Sequence, residues 1–369
     1  MRNPRYTVVS VANAAESFNS PSARSVGRRM IQKEVNKLAH ELHINAGGKA
    51  SIAYAGETPW HKLGQRLTPD APLTVWLEEA GMNFEIKDGV VQTTIPGLTG
   101  QQRDGDAPTI ITMPERKLLY RSDTLAPLAV VSAKYKVVQP REILYAQEEL
   151  IEKLGFQMET AGVLFSGKKF WSMSKTNHDA EVVAGDPMGQ YLMMVTACDG
   201  SLATTAKFVA TRAVCNNTVS MALNENGKTT VKIPHSSTFD MDRVKAELGL
   251  HTDSWNLFLA DMRKLASSKL AKNQSIIFLR DLLGDPTKSL EDQAPGAANL
   301  MQEIYELYDQ TSIGNELAGH TRWGMLNAVT EYVDHHTGHK TDDARMNNAW
   351  YGDGDKLKSA AMDLLVATI

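Results

Sequence analysis

The chain has 369 residues, of which 42% are hydrophobic and 22% charged, a composition that predicts folding over most of its length in two cores or one large one. A net charge of −4 excludes a uniformly basic nucleic-acid coat, so any anion site must come from local clustering. Two cysteines, Cys198 and Cys215, exclude a disulfide framework and a four-cysteine zinc site.

Residues 1–38 carry seven Lys/Arg against Glu16 and Glu34 and are small, polar and aperiodic over Ser17 to Ser25. They read as a basic, largely disordered arm, with a short helix over Met30 to Leu42. Residues 39–138 are broken often by proline, which predicts strands: Phe84–Lys87, Val90–Ile95, Lys117–Arg121, Leu128–Val131 and Tyr135–Val138. One short helix is expected over Leu73 to Ala80.

Pro140 opens a helix with Ile143, Leu144, Ile151 and Leu154 on one face, and Gly155 stops it. Two hairpins follow, Met158–Phe165 with Lys168–Lys175, and Tyr191–Cys198 with Leu202–Ala210 around Asp199-Gly200, a pair suited to the positive φ of a tight turn. Thr211 is expected to cap a helix running to Leu223. From Met241 onward the spacing is helical, with apolar stripes such as Trp255, Leu259, Met262 and Leu265, and then Trp323, Leu326, Val329 and Val333. Residues 285–369 hold fourteen Asp/Glu against six Lys/Arg, which repels phosphate and suits a packing surface or a host or phage protein partner. The fold class expected is α+β: a basic arm (1–38), a mostly antiparallel β-sheet domain with packed helices (39–235), and an acidic C-terminal helical domain (240–369).

No nucleotide loop or nucleophile elbow is present in the sequence. Glu331, His335 and His339 have partial metal-ligand spacing, but a solvated helix end with histidines near its C-terminal dipole is the plainer account. Trp60-His61 could stack on a base or pack beneath a loop. The hairpin region is more informative. Lys168, Lys169 and Lys175 occur without an acid between Thr160 and Asn177, as do Lys207 and Arg212 between Ser201 and Leu223. Trp171, Phe170 and Phe208 interleave with them. Cations on phosphates with aromatics for base stacking suit a single-strand binder, and a sheet with solvated lysines and core aromatics suits the same residues.

Several stretches resemble the phage/plasmid-like family of uncharacterised proteins: Ala39-His40-Glu41-Leu42, Gly56 to Gly64, Asp199-Gly200-Ser201, Thr211 to Thr218, and Thr321 to His335. The resemblance spans about 39–365 and implies a mobile-element setting without supplying a reaction. The order helix, two hairpins, helix over 140–225 also resembles the core of the single-strand annealing recombination proteins, which implies a groove for single-stranded DNA. The expected function is therefore non-catalytic binding and annealing of single-stranded DNA in phage or plasmid recombination. Lys168, Lys169, Lys175, Lys207 and Arg212 would be on phosphates and Trp171 on a base. No cofactor is called for. The expected partners are single-stranded DNA and further copies of the chain, in a ring or helical homo-oligomer. No apolar run is long enough for a membrane span, which places the chain in the cytoplasm. The alternatives are a metal-dependent enzyme on nucleotides or nucleic acid and an interaction protein that counters a host defence factor.

Overall fold

The computed structural model describes residues 50–55, 64–68, 70–95, 109–212, 217–221, 230–248, 252–311, 315–339 and 341–369. The basic arm, the helix expected over Met30 to Leu42, and Trp60-His61 lie outside them.

The main sheet is built from β1 (Ile52–Tyr54), β2 (Gln65–Arg66), β6 (Gln157–Leu164), β7 (Lys169–Glu181), β8 (Pro187–Ala197), β9 (Thr204–Arg212), β10 (Asn217–Ser220) and β11 (Thr230–Ile233). Its order is β10-β9-β8-β7-β6-β1-β2, with β11 also beside β9. β1 and β2 are parallel and the other pairings antiparallel. A separate three-stranded sheet joins β3 (Ile86–Ile95), β4 (Thr109–Arg121) and β5 (Pro127–Ser132) in the order β3-β4-β5. The architecture is α+β, antiparallel-rich with a helical C-terminal region.

Period-two alternation sends β7 to two different cores. Phe170 joins the larger apolar cluster with Leu192, Met194 and Phe208. Trp171 and Met173 join a second cluster on the opposite face with Met193, Val195 and Val209. The first face is covered by α2 (Pro140–Leu154), whose buried side is Ile143, Leu144, Gln147 and Leu150 and which follows α1 (Leu73–Glu79) in the chain. Pro140 starts α2 without losing a needed N–H, Glu142 accepts the Gln139 N–H at 2.6 Å, and Gly155 closes the helix at φ 70°.

The helical region comprises α3 (Met241–Leu248), α4 (Thr252–Ser267), α5 (Lys272–Leu283), α6 (Pro295–Glu306), α7 (Asn315–Ala318), α8 (Arg322–Glu331), α9 (Asp342–Tyr351) and α10 (Asp353–Ala367). The predicted stripe of α8 understates its burial, because every residue from Trp323 to Glu331 is buried. It is the central helix, capped by Thr321, whose side chain accepts the Gly324 N–H at 3.1 Å. Only glycine fits at 324, where a Cβ would meet the Gly319 carbonyl oxygen at 2.0 Å. The larger cluster runs without a break from Ala53 to Leu365, so the helices and the first sheet face share one core.

Two expectations are corrected. Tyr135–Val138 is irregular rather than a strand, because Lys136 N–H bonds to the His235 carbonyl at 2.7 Å instead of to a neighbouring strand. Thr211 starts no helix: β9 runs through Arg212, and β10 pairs back on it from Asn217 to Ser220. The β-branched Thr211, Thr218 and Val219 suit that ladder. The order shared with the annealing proteins thus loses its last helix. Among the described residues no helix is long and apolar enough to cross a membrane.

Candidate nucleic-acid interface

The sequence-predicted contact residues fall in three places, and most point inward. Trp171 is fully buried and meets Trp350 edge-on at 4.8 Å between centroids. Lys169, 6% exposed, donates to Asn347 Oδ1 on α9. Lys207, 5% exposed, donates to Asp355 Oδ2 at 2.9 Å, Ser220 Oγ at 2.9 Å and the Trp350 carbonyl at 2.6 Å. Burial holds both ammonium groups below the usual lysine range, against the opposing pull of Asp199 on Lys169 and Asp355 on Lys207. These three residues tie the second sheet face to α9 and α10. They present nothing to a strand in solution, and the core account of Trp171 is the correct one.

Arg212 is also enclosed, 1% exposed, so a free helix N-terminus does not serve it. Its Nε donates to Asp186 Oδ1 at 2.5 Å, and Nη1 donates to Asn327 Oδ1 at 3.4 Å. Trp323 Nε1 donates to the other Asp186 oxygen at 3.0 Å. Nearby, Asp334 accepts the Thr218 N–H at 3.0 Å and Lys358 Nζ at 2.7 Å. Arg212 and Thr218, from one stretch that carries the family resemblance, therefore meet Trp323, Asn327 and Asp334, from another, around a buried ionic network. Breaking either pair would strand a buried charge, so the network fixes how β9 and β10 seat on α8 and α10.

Lys168 and Lys175 are partly exposed, and Lys175 is paired with Asp179 at 2.8 Å. Glu331 is buried and faces His336 at 3.5 Å. Among the described residues no three His, Cys, Asp or Glu side chains are grouped to share an ion.

An accessible cationic site lies elsewhere. A cleft of about 310 Å³ opens between the small sheet and the connection that follows β5. Asp88 from β3, Lys117 from β4, and Lys134, Tyr135, Lys136 and Gln139 line it. Gln139 fixes one wall, donating to the Ile86 carbonyl at 3.0 Å and accepting the Ile86 N–H at 2.8 Å. Tyr135 fixes the other. Its hydroxyl donates to the Ala197 carbonyl at 2.8 Å, and its ring stacks on His235 at 4.5 Å. Burial, then Cys198 and Asp199, raise that hydroxyl above the usual tyrosine range, so it stays a neutral donor. Lys117 is balanced by Asp88 at 3.2 Å. Lys134 and Lys136 are exposed and have no ion-pair partner among the described residues. The arrangement can hold an anion beside an aromatic ring. Sequence reasoning passed over it, although the signal was available: Thr124 to Arg141 contains no acid and includes Lys134-Tyr135-Lys136.

Compared with known proteins, residues 127–350 match the family described as a domain of unknown function (DUF932). No curated protein matches the chain, and no solved structure does.

Proposed function

The chain belongs to the DUF932 family, whose description assigns no reaction, and from that premise we propose that it binds single-stranded DNA without chemistry, through the lysine-lined cleft. The observation that carries this reading is the pair Lys134 and Lys136, exposed, without acid partners and flanking Tyr135 in a cleft of about 310 Å³. That volume is at the lower end of the range of ~300–1,000 Å³ for ligand sites and suits one nucleotide unit of a longer strand. The ammonium groups would take phosphates and release counterions, and the aromatic ring would offer a sequence-tolerant stacking face. A strand held by its phosphates keeps its base edges free, so annealing to a complementary strand is the wider role this reading gives the protein. It needs no general acid, nucleophile or metal.

The test is a titration of labelled single-stranded and double-stranded oligonucleotides at several salt concentrations. Lys134 and Lys136 on phosphates contribute about −1.4 to the slope of log affinity against log salt for a single strand. Lys134→Ala with Lys136→Ala should weaken binding for all sequences alike and flatten the slope by about 1.4. Absence of binding at low salt, or an unchanged slope in the double variant, refutes the assignment.

A further inference from the structure

The small sheet narrows along its length. β5 opposes β4 only from Tyr120 back to Arg116, whereas β3 and β4 stay paired as far as Ile95 and Thr109. Beyond Arg116 the sheet is a two-stranded ribbon with solvent on both faces. Ile110 is 59% exposed, and Ile111 and Met113 43% each. Such a ribbon is marginally stable by itself in water.

Its two outer edges differ in chemistry. The β4 edge carries Pro114, which has no N–H to offer and blocks strand addition. The β3 edge has no strand against it among the described residues. From Gly89 to Ile95 it carries neither a charge nor a proline. Val90-Val91-Gln92-Thr93-Thr94-Ile95 is uncharged and rich in β-branched residues, the composition that pairs most readily with a copy of itself.

We propose that the outer edge of β3 is a homotypic pairing site, at which two copies of the chain join antiparallel about a two-fold axis, merging two three-stranded sheets into one. Charge selects the occupant. Each copy carries a net −4, so two copies approach with least repulsion through a neutral segment. A charged foreign strand gains no ion pair along this edge, whereas a second neutral copy loses none. An isologous contact also lets each unpaired N–H meet an identical edge presenting the matching carbonyl. Area sets the strength. Pairing over six residues, about 20 Å of strand, buries less than the ~800 Å² per partner of a standard stable interface. The association is therefore reversible and concentration-dependent. It does not depend on the nucleic-acid reading.

Sedimentation velocity on the full chain from about 1 to 100 µM tests it. The weight-average mass should rise from monomer toward dimer across that range. Val91→Lys and, on the opposite ribbon face, Thr94→Lys should each keep the chain monomeric with an unchanged circular dichroism spectrum. Gln92→Cys should give an intermolecular disulfide under mild oxidation, which the unsubstituted protein does not form. A constant monomer mass to 100 µM, or a dimer that persists in whichever lysine variant folds, overturns the proposal.

Discussion

Asp343→Asn should make the protein more stable at neutral pH, and the size of the gain follows from one buried carboxyl. Asp343 is 5% exposed on α9. Its Oδ2 accepts the Phe165 N–H at 2.5 Å, and its Oδ1 is buried with no partner. Burial pushes the carboxyl up to about 6 from 3.8, opposed by the Phe165 N–H and assisted by the negative charge of Asp342. Because the folded value lies above the unfolded one, the native state holds the proton more tightly. Stability falls as pH rises from about 4 to about 6, and the full penalty is present above that window. At about 1.4 kcal/mol per pH unit the penalty at pH 7.5 is about 3 kcal/mol. Asparagine keeps an acceptor for Phe165 and never ionises. The variant should therefore be more stable than the parent by up to about 3 kcal/mol at pH 7.5 and by roughly 1 kcal/mol at pH 4.5, where the native carboxyl is mostly protonated. Urea denaturation of both proteins at the two pH values measures this, since titrations common to both cancel in the difference. A variant no more stable than the parent at pH 7.5, or a difference that does not change with pH, refutes the reasoning.

Other outcomes follow from the same geometry. Trp171→Ala should cost about 3–5 kcal/mol of folding stability in thermal or urea melts, as expected for a large ring removed from a core. Asp186→Ala should cost a similar ~3–5 kcal/mol by leaving Arg212 charged and buried, whereas Asp186→Ala combined with Arg212→Met should recover part of that loss. The Cys198 thiol, pushed up to about 12 by burial and by Asp199, should resist alkylation at pH 8 until the chain unfolds, as mass spectrometry of peptides from pulse-labelled protein would report. A fragment ending at residue 284 should fail to fold cooperatively, because Ile304, Trp323, Leu326 and Leu365 belong to the same cluster as the sheet residues Phe170 and Leu192.

Elements with local signals are legible in the order of the amino acids alone. Pro140 and Gly155 bracket α2 because proline and glycine act on their own dihedrals. The β6–β7 and β8–β9 hairpins are legible because alternation and turn residues are short-range properties. Apolar stripes located α4 and α8 for the same reason. What those elements face depends instead on contacts between distant segments. Lys169, Lys207 and Arg212 read as free cations in the sequence because their acceptors, Asn347, Asp355 and Asp186, lie 178, 148 and 26 residues away. Thr211 looked like a helix cap until β8 and β10 supplied strand partners on either side. Lys134 and Lys136 gained their place in a cleft only when β3 and β4 closed its far wall. Local propensity is written in neighbouring residues, but burial and charge pairing depend on which distant segment arrives, and that is set by packing of the whole chain.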